Sequence, residues 1–434
     1  MTLSSLQRIL AIIAFLVLTL SGFSLAAETS LSASTSSESL ESMIATGEPE
    51  EALVLIEQQI TDVIATDGRN SELLIEPLVL KGDALRTLKF YSAALEAYDD
   101  ARAIQRRHFG LHDLNQVDVL YREAETYYEQ EQFVTANDRH EYAFSIYIRK
   151  YGTDSPEILP GLFRLADWYM DTDNIFTARG LYQKALSDFT PEGDVQTKTR
   201  IRALSGLAQT YQQERFRPAD YSAQTDKFTP RPYGSINHPE HYFAELNDFS
   251  KGEEALLELV RINLEREDET SPVLAEAKLR LADWYLLFEK YEKAAVVYQD
   301  IWETLDGSPQ FAFVEEHMTT PKVLYKPLPD DPERPKRETT IPVVELEGRI
   351  EIALTVTERG KTKKIKQVSS HPGQMLARAT RNTAANSIYR PAFVDGIATT
   401  TENVQFLHTF PYYTSARSSN SGTTQNNTSY RSTR

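Results

Sequence analysis

The side chains that could do chemistry in this chain of 434 residues fall into three small groups. The first group is the hexapeptide RLADWY, which occurs at Arg164–Tyr169 and again at Arg280–Tyr285. One interpretation is a duplicated catalytic carboxylate, Asp167 and Asp283. No base, metal ligand or nucleophile recurs at a fixed offset from either Asp, as a duplicated active site would require. We therefore expect the Trp of each copy to wedge between helices and the Asp of each copy to face solvent or a helix end.

Histidine pairs form the second group. His108 and His112 have the spacing at which two helical side chains can hold a metal ion, but Gly110 lies between them and no third ligand is apparent. This pattern favours a loop between helices. His238 and His241 could also ligate a metal, and the alternative is that they are ordinary surface histidines. We expect no metal and no cofactor.

The third group is the sequence GKT at Gly360–Thr362, which resembles the end of a phosphate-binding loop. The Gly that such a loop needs five residues earlier is Thr355, and no helix follows, so a hairpin turn is predicted instead. The chain also contains no Cys, which excludes thiol nucleophiles and disulfides. These patterns indicate a protein without catalytic residues, the alternative being an enzyme with a site in residues 215–248.

The elements around these residues follow a repeat of 42 residues. Two interleaved series of small residues recur at this step, which indicates a pair of helices in each repeat. The series are Gly82, Ala124, Ala166 and Ala208, and Ala52, Ala94, Ala136 and Ala178. The second RLADWY begins 116 residues after the first, a distance that two periods and an insertion of 32 residues explain. The Pro-rich and Tyr-rich residues 215–248 are predicted to form this insertion, between the two helices of the fourth repeat.

The sequence LADWYLLFEKYEKAAVVYQ at Leu281–Gln299 carries a family resemblance. It resembles the tetratricopeptide repeat, in the 42-residue form found in kinesin-light-chain-like arrays. The resemblance implies an α-solenoid of helix-turn-helix repeats over residues 37–320. A concave groove for a protein or peptide partner is the function that it implies.

Beyond a Pro-rich linker at 321–340, the hydrophobic period changes from helical to two. Ile350, Ile352, Leu354 and Val356 alternate along a strand, a Gly360 turn follows, and a second strand begins at Thr362. Next come a helix and a last strand. The helix is predicted to carry Met375, Leu376, Ala379 and Thr383 on one face, and the strand to turn Val404, Phe406 and His408 away from Gln405 and Leu407. The fold class is therefore α + (α+β), a solenoid followed by a small ββαβ domain.

Two stretches of this domain, Glu347–Ser370 and the YRPAFVDG of Tyr389–Gly396, resemble the carboxy-terminal domain of TonB. The resemblance covers residues 341–413 and implies that an edge strand pairs with a peptide of an outer-membrane receptor or of an energy-transduction subunit. The residues that it assigns to partner binding are Asn403, Val404, Gln405, Phe406, Leu407 and His408.

A basic run adds Lys363 and Lys364 to the candidate partner-binding residues. With Lys361 and Lys366 they would form a solvated hairpin face. The run could also contact an acidic partner, anionic lipid head groups or the acidic repeats of the same chain. Residues 321–434 carry 17 basic and 10 acidic side chains, whereas residues 1–320 carry 29 and 53. The net charge of −17 argues against a nucleic-acid partner.

The amino terminus has the order of an export signal. Arg8 precedes an apolar run and then small residues, which predicts a signal peptide over 1–27 with cleavage after Ala26 or Ala27. The alternative is an uncleaved anchor that associates the protein with the membrane. Residues 28–36 are expected to form a flexible spacer and residues 414–434 a disordered tail.

These patterns together predict a non-enzymatic periplasmic adaptor. We expect it to be an accessory component of a TonB-type outer-membrane transport system that binds partners through the repeat groove and by strand pairing. The alternative is a cell-envelope assembly scaffold unrelated to transport.

Overall fold

The computed structural model describes residues 36–188, 194–216, 249–327, 329 and 343–415. The predicted signal peptide, most of the insertion with His238 and His241, most of the linker and the tail lie outside these residues. The chain divides into two compact units, Met1–Lys150 and Tyr151–Arg434, and each is described by itself.

Helices dominate the residues before the linker. The first unit holds α1 to α6, and the second begins at the end of α6 and holds α7 to α13. The helices of the first unit are Ser37–Thr46 (α1), Pro49–Asp67 (α2), Ile75–Thr87 (α3), Tyr91–Phe109 (α4), Asn115–Glu129 (α5) and Phe133–Tyr151 (α6). Those of the second are Leu159–Asp171 (α7), Ile175–Ser187 (α8), Asp194–Arg215 (α9), Phe249–Arg266 (α10), Pro272–Leu287 (α11), Tyr291–Leu305 (α12) and Ala312–His317 (α13). Helices joined by short turns pack against each other, among them α3 with α4 in the first unit and α7 with α8 and α11 with α12 in the second, so the predicted helical hairpins are present in both units.

Small residues lie where the helices of each pair approach closely. Both predicted series are buried, and Ala52, Ala94, Ala136 and Ala178 have no exposed surface. At Gly82, an added Cβ would stand 2.2 Å from a ring carbon of Tyr98, so only Gly fits beside that ring. The 42-residue period is therefore a packing period, and the structure confirms it.

The turns within the helical hairpins share one backbone conformation. Lys89, Glu131, Asp173 and Glu289 each have φ between 60° and 67°. In each turn, the next residue donates its backbone N–H to a carbonyl five residues earlier, as Phe90 does to Leu85 at 2.8 Å. This hydrogen bond and the left-handed residue are the features of a Schellman motif, which ends a helix and reverses the chain.

Tryptophan packing is as predicted in the second unit. Trp284 on α11 is 1% exposed, and its ring stacks on Phe249 of α10 with ring centroids 6.0 Å apart. Gly252 of α10 leaves room for the indole, since an added Cβ would stand 2.1 Å from it. Trp168 is also buried, so the Trp of each RLADWY copy serves the apolar core.

Seven strands and one helix form the carboxy-terminal part of the described chain. They are Lys322–Tyr325 (β1), Val343–Val356 (β2), Thr362–His371 (β3), Ala377–Asn386 (α14), Ile388–Arg390 (β4), Ala392–Val394 (β5), Ile397–Thr399 (β6) and Thr401–Ser415 (β7). Three antiparallel strands in the order β3–β2–β7 make the main sheet. β1, from the start of the predicted linker, pairs with β4, and β5 pairs with β6.

The alternation of β2 builds the core of this domain. Ile350, Ile352, Leu354 and Val356 are at most 1% exposed and pack with Phe406 of β7 and with Ala384 of α14. The helix differs from the prediction because it begins only at Ala377. Gly373 and Leu376 have φ values of 54° and 55°, which a right-handed helix cannot include. Its buried face is therefore Ala377, Thr380, Thr383 and Ala384, and Met375 is exposed.

Within the described part of the chain, no helix combines the length and the apolar content that crossing a membrane requires.

Candidate partner-binding site

The candidate site is the outer edge of β7. This strand pairs with β2 on one side and, among the described residues, with no strand on the other. The predicted residues Asn403 to His408 all lie on it. Phe406 and His408 are 3% and 5% exposed and belong to the core face, whereas Leu407 is 45% exposed on the opposite face. The site can therefore offer a partner its backbone groups and the side chains of alternate residues.

The other edge of the sheet is protected by charge and irregularity. β3 carries Lys363, Lys364 and Lys366, and its pairing with β2 has two register shifts. Charged side chains and bulges are the features that discourage an edge from pairing with a further strand. The only charged side chain on β7 is Glu402, whose carboxylate receives the Lys364 ammonium at 2.6 Å. Of the two edges, β7 is the one suited to strand addition.

The position of Lys363 and Lys364 separates them from the other candidate residues. Both lie on β3, and β2 stands between β3 and β7. A partner strand added to the outer edge of β7 would lie on the far side of the sheet from them. Their assignment to partner binding stays a prediction, and it concerns a surface other than the β7 edge.

Backbone orientation along β7 follows from two observations. The Lys326 ammonium donates to the Leu407 carbonyl at 3.0 Å, so this carbonyl points away from β2. Pro411 lies opposite Glu347, and Leu407 lies opposite Glu351. Backbone direction alternates from residue to residue, so two positions four residues apart face the same side. Pro411 has no N–H. Leu407, Thr409, Pro411 and Tyr413 therefore turn their backbone groups outward, and Pro411 sits where a missing N–H removes no bond to β2.

The domain that carries β7 is docked on α11 and α12 through a buried ion pair. Arg390 on β4 donates from Nε to Asp283 Oδ1 at 2.9 Å and from a terminal nitrogen to Oδ2 at 2.6 Å. A further bond of 2.7 Å joins its guanidinium to the His317 carbonyl. The Asp283 and Arg390 side chains are 15% and 9% exposed. The expectation that this Asp faces solvent or a helix end is wrong, since a bidentate Arg covers it.

The same arrangement recurs within the repeats. Tyr98 donates to Asp83 at 2.6 Å, and Arg122 of the following helical hairpin binds both oxygens of that carboxylate. In the first copy, Tyr182 donates to Asp167 at 2.8 Å and Arg202 of α9 pairs with it. The Asp167 side chain is 36% exposed, so here the expectation of a solvent-facing Asp holds in part. The third set is Tyr298, Asp283 and Arg390, with 2.6 Å between the Tyr hydroxyl and Asp283 Oδ1. We call each set an Asp–Tyr–Arg clasp. In the last one, the Arg comes from the β domain and takes the place of the next repeat's Arg.

Electrostatics in the last clasp favour the charged pair. Burial alone would lower the pKa of Arg390, but its hydrogen bonds and charge attraction to Asp283 outweigh burial and raise that pKa. Burial raises the pKa of Tyr298 well above its ordinary value, and the negative charge of Asp283 raises it further. Tyr298 therefore stays a neutral donor to the carboxylate at physiological pH.

Apolar and surface contacts complete the docking. The Phe393 and Tyr298 rings lie 4.7 Å apart, and the Phe393 N–H donates to the Met318 carbonyl at 2.8 Å. Lys361 reaches Glu289 at 2.8 Å, so one member of the basic run contacts an acidic residue of the repeats, as one of the sequence interpretations proposed. A cleft of about 330 Å³ remains between α12 and the β5–β6 hairpin, with Tyr291 and Ile397 in its lining.

The chemical motifs singled out in the sequence have structural roles. Gly360 has φ 71° and donates to the Thr357 carbonyl at 2.8 Å, which confirms the hairpin turn. His108 bonds to the Asn70 carbonyl and His112 to the Arg149 guanidinium, so the two rings serve different neighbours. No group of three or more potential ligands from His, Asp and Glu converges in the part of the chain that the structure describes. The alternative enzyme site in residues 215–248 lies, beyond Phe216, outside that part.

The comparisons with known proteins divide along the same line as the fold. Residues 344–408 match the family model of the Gram-negative bacterial TonB protein C-terminal domain. The comparison with curated proteins returned no significant match. The chain thus joins helical hairpins to a carboxy-terminal domain that matches the TonB family model over residues 344–408.

Solved structures similar to this chain include helical repeat proteins. A putative kinesin light chain of Podosopora anserina, with nearly identical TPR-like repeats, is 14% identical over 62% of this chain and 92% of its own, with a TM-score of 0.30. BtubC of P. vanneervenii is 14% identical over 69% and 99%, with a TM-score of 0.35. The apo quorum sensor NprR of B. thuringiensis is 11% identical over 70% and 73%, also with a TM-score of 0.35.

Proposed function

We propose that this chain is a non-enzymatic periplasmic adaptor that takes a strand of a cell-envelope protein onto the outer edge of β7. One observation carries the proposal: β7 is an edge strand of 15 residues with a single charged side chain, while the opposite edge is guarded by lysines. Strand addition draws its affinity from main-chain hydrogen bonds and its selectivity from the side chains of alternate residues. The TonB-type match of residues 344–408 supports the same mode of binding.

The partner that fits best is a peptide of a TonB-dependent receptor or an energy-transduction subunit, which makes the chain an accessory component of a TonB-type transport system. The helical hairpins would hold a second protein or peptide in their groove. Because the last Asp–Tyr–Arg clasp ties the β domain to α11 and α12, a strand bound at β7 would be held in fixed geometry to those two helices. An adaptor of this kind brings two partners together without transforming either.

Proline at an outward-facing position of β7 provides the test. In Thr409→Pro the outward N–H disappears while pairing with β2 persists, as it does at the native Pro411. We expect this variant to lose at least about 1 kcal/mol of partner affinity, roughly a tenfold rise in Kd, for each main-chain bond that is lost. Thr409→Ala is the matched control, because it shortens the side chain and keeps the donor.

The measurement is capture from envelope extracts with a photoreactive residue at position 407, followed by identification of the crosslinked protein. Receptors or proton-channel subunits captured by the wild type and by Thr409→Ala, and lost with Thr409→Pro, would support the transport role. Assembly factors captured in their place would favour the scaffold. Equal capture by all three proteins would contradict binding at this edge.

Export has its own readout. The order of charge, apolar run and small residues at the amino terminus predicts a mature chain that begins at Ala27 or Glu28. The mass of the amino-terminal peptide of the purified protein measures this directly. A peptide that retains Met1 or Arg8 would show that the segment stays attached as an anchor.

A further inference from the structure

Lys326 occupies a position at which a partner strand would bond to β7. Its ammonium lies 3.0 Å from the Leu407 carbonyl and 4.6 Å from the centroid of the Phe406 ring. Lys326 directly follows β1, whose pairing with β4 fixes the chain there. The strand pairing therefore fixes the backbone from which the Lys326 side chain reaches the edge of β7.

No carboxylate of the described residues pairs with this ammonium. The ion pairs of the β domain use Lys361, Lys364, Arg349 and Arg390, and Lys326 is absent from them. Burial without a counter-charge lowers the pKa of Lys326. A carbonyl oxygen and an aromatic face are weaker partners for a desolvated ammonium than a carboxylate would be. The edge of β7 thus presents an ammonium that has no carboxylate partner among the described residues.

Strand addition and the Lys326 contact compete for one atom, the Leu407 carbonyl oxygen. A strand that pairs with the outward groups of Leu407 must donate an N–H to the carbonyl that Lys326 now occupies. The ammonium must then share this oxygen or leave it, and its place over the Phe406 ring is on the core-facing side of the new strand. A partner side chain that points to the same side meets it.

Building on the strand addition proposed above, we infer that Lys326 determines which strands β7 accepts. The preferred partner carries an Asp or Glu beside the residue that bonds to Leu407, on the face of Phe406. The partner's carboxylate pairs with the Lys326 ammonium, while the partner's backbone N–H donates to the Leu407 carbonyl. A neutral strand competes with Lys326 for the Leu407 carbonyl and offers the ammonium no replacement partner, so it binds less well. The excess of basic residues in 321–434, 17 against 10 acidic, favours an acidic partner in the same direction.

The probes are two synthetic peptides of about eight residues, an ordinary strand length, made of alternating Thr and Val. One has a central Glu, and the other has Gln at that position. Titration calorimetry with the full mature chain gives Kd for each peptide. For the wild type we expect the Glu peptide to bind roughly tenfold more tightly than the Gln peptide.

Variants at position 326 separate the inference from the proposal on which it depends. Lys326→Met should bind the Gln peptide more tightly than the wild type does and should show no preference for Glu. Lys326→Arg keeps the charge and should keep the preference. Lys363→Met, a matched loss of charge on the protected edge, should leave the wild-type ratio unchanged.

Two results would separately contradict the role of Lys326 and strand addition at β7. If both peptides bind but the Glu-to-Gln ratio is the same in the wild type and Lys326→Met, then Lys326 does not select the partner, while strand addition stands. If neither peptide binds the wild type, Lys326→Met or Lys326→Arg, strand addition at β7 itself is wrong, and the role of Lys326 is wrong with it.

Discussion

At the scale of single residues, the repeated RLADWY connects its helical hairpin to the element that packs next. Its Asp accepts a hydrogen bond from a Tyr 15 residues further on and an ion pair from an Arg of whatever packs next. A carboxylate at a packed boundary is stable there only if its oxygens are satisfied, and each clasp satisfies them with an Arg and a Tyr. The residue that looked like a duplicated catalytic acid is therefore part of how one structural unit holds the next.

Arg390→Gln tests the last clasp. The substitution leaves Asp283 buried with a Tyr but without its ion-pair partner, and breaking a buried ion pair in this way costs about 3 kcal/mol or more. We expect this loss in the free energy of unfolding of the second unit, measured by urea denaturation. Release of the β domain from α11 should also make β1 and β4 accessible to limited proteolysis.

The more exposed clasp supplies the comparison. Arg202 and Asp167 are 54% and 36% exposed, so Arg202→Gln should cost less than about 1 kcal/mol. Equal losses for the two variants would show that burial does not set the strength of the clasps. If Arg390→Gln lowered the free energy of unfolding by less than about 1 kcal/mol, the clasp would not be what docks the β domain.

Part of this chemistry was within reach of the sequence. The Asp–Tyr spacing of 15 recurs at Asp83, Asp167 and Asp283 and could have been found beside the 42-residue period. The Arg partners could not, since they lie 39, 35 and 107 residues after their Asp. The last of these depends on how two different folds dock, which no local pattern encodes. The same limit applies to Lys326, which meets β7 at a distance of 81 residues.

At the scale of elements, the β2–β3 hairpin docks by its turn. Gly360 has φ 71°, and a Cβ there would stand 2.0 Å from the Tyr389 carbonyl oxygen and 3.1 Å from a methyl carbon of Leu286. Tyr389 returns its N–H to the Gly360 carbonyl at 2.9 Å. The missing side chain thus lets the turn fit between β4 and α11.

Gly360→Ala should therefore destabilise the second unit by more than the backbone strain alone. We expect a loss of at least about 2 kcal/mol in the free energy of unfolding, from a left-handed Ala together with the overlap. Gly373→Ala is the matched control, because Gly373 has φ 54° and nothing within 4 Å of an added Cβ. It should cost about 1 kcal/mol. Urea denaturation measures both, and similar losses would mean that the close approach at Gly360 contributes nothing.

Element types were predictable where one periodicity ran without interruption. Alternation from Ile350 to Val356 predicted both the strand and its buried face, and the small-residue series predicted the helical hairpins. The sequence did not predict the start of α14 because Leu376, an ordinary helix former, adopts a left-handed conformation where it packs against the core of the sheet. β1 was missed because it lies in a Pro-rich segment and pairs with β4, which is distant in sequence.

At the scale of the molecule, the second unit is one folded body made from two kinds of structure. Ile388 and Phe393 of the β domain belong to the same apolar cluster as Trp284, Tyr298 and Ile301 of α11 and α12. The domain thus covers apolar surface that a further repeat would otherwise bury, as terminal caps do in repeat proteins.

A chain truncated before Pro321 should reveal this dependence. Loss of Phe393 and Ile388 uncovers the Tyr298 ring, which is 2% exposed in the intact chain. We expect a lower Tm for the truncated helical hairpins and increased binding of an apolar fluorescent dye. An unchanged Tm with no dye binding would mean that the repeats do not need the β domain as a cap.

The clasp also bears on how such a chain can change length over evolutionary time. The hexapeptide contacts the elements on both sides of it. Asp283 accepts from Arg390 of the β domain, and Arg280 donates to Ser205 of α9 at 2.9 Å. A gene duplication of α11 and α12 would place the second copy's Arg beside the first copy's Asp and leave the final Asp for Arg390. The array could then gain or lose units while the same carboxy-terminal domain is kept unaltered.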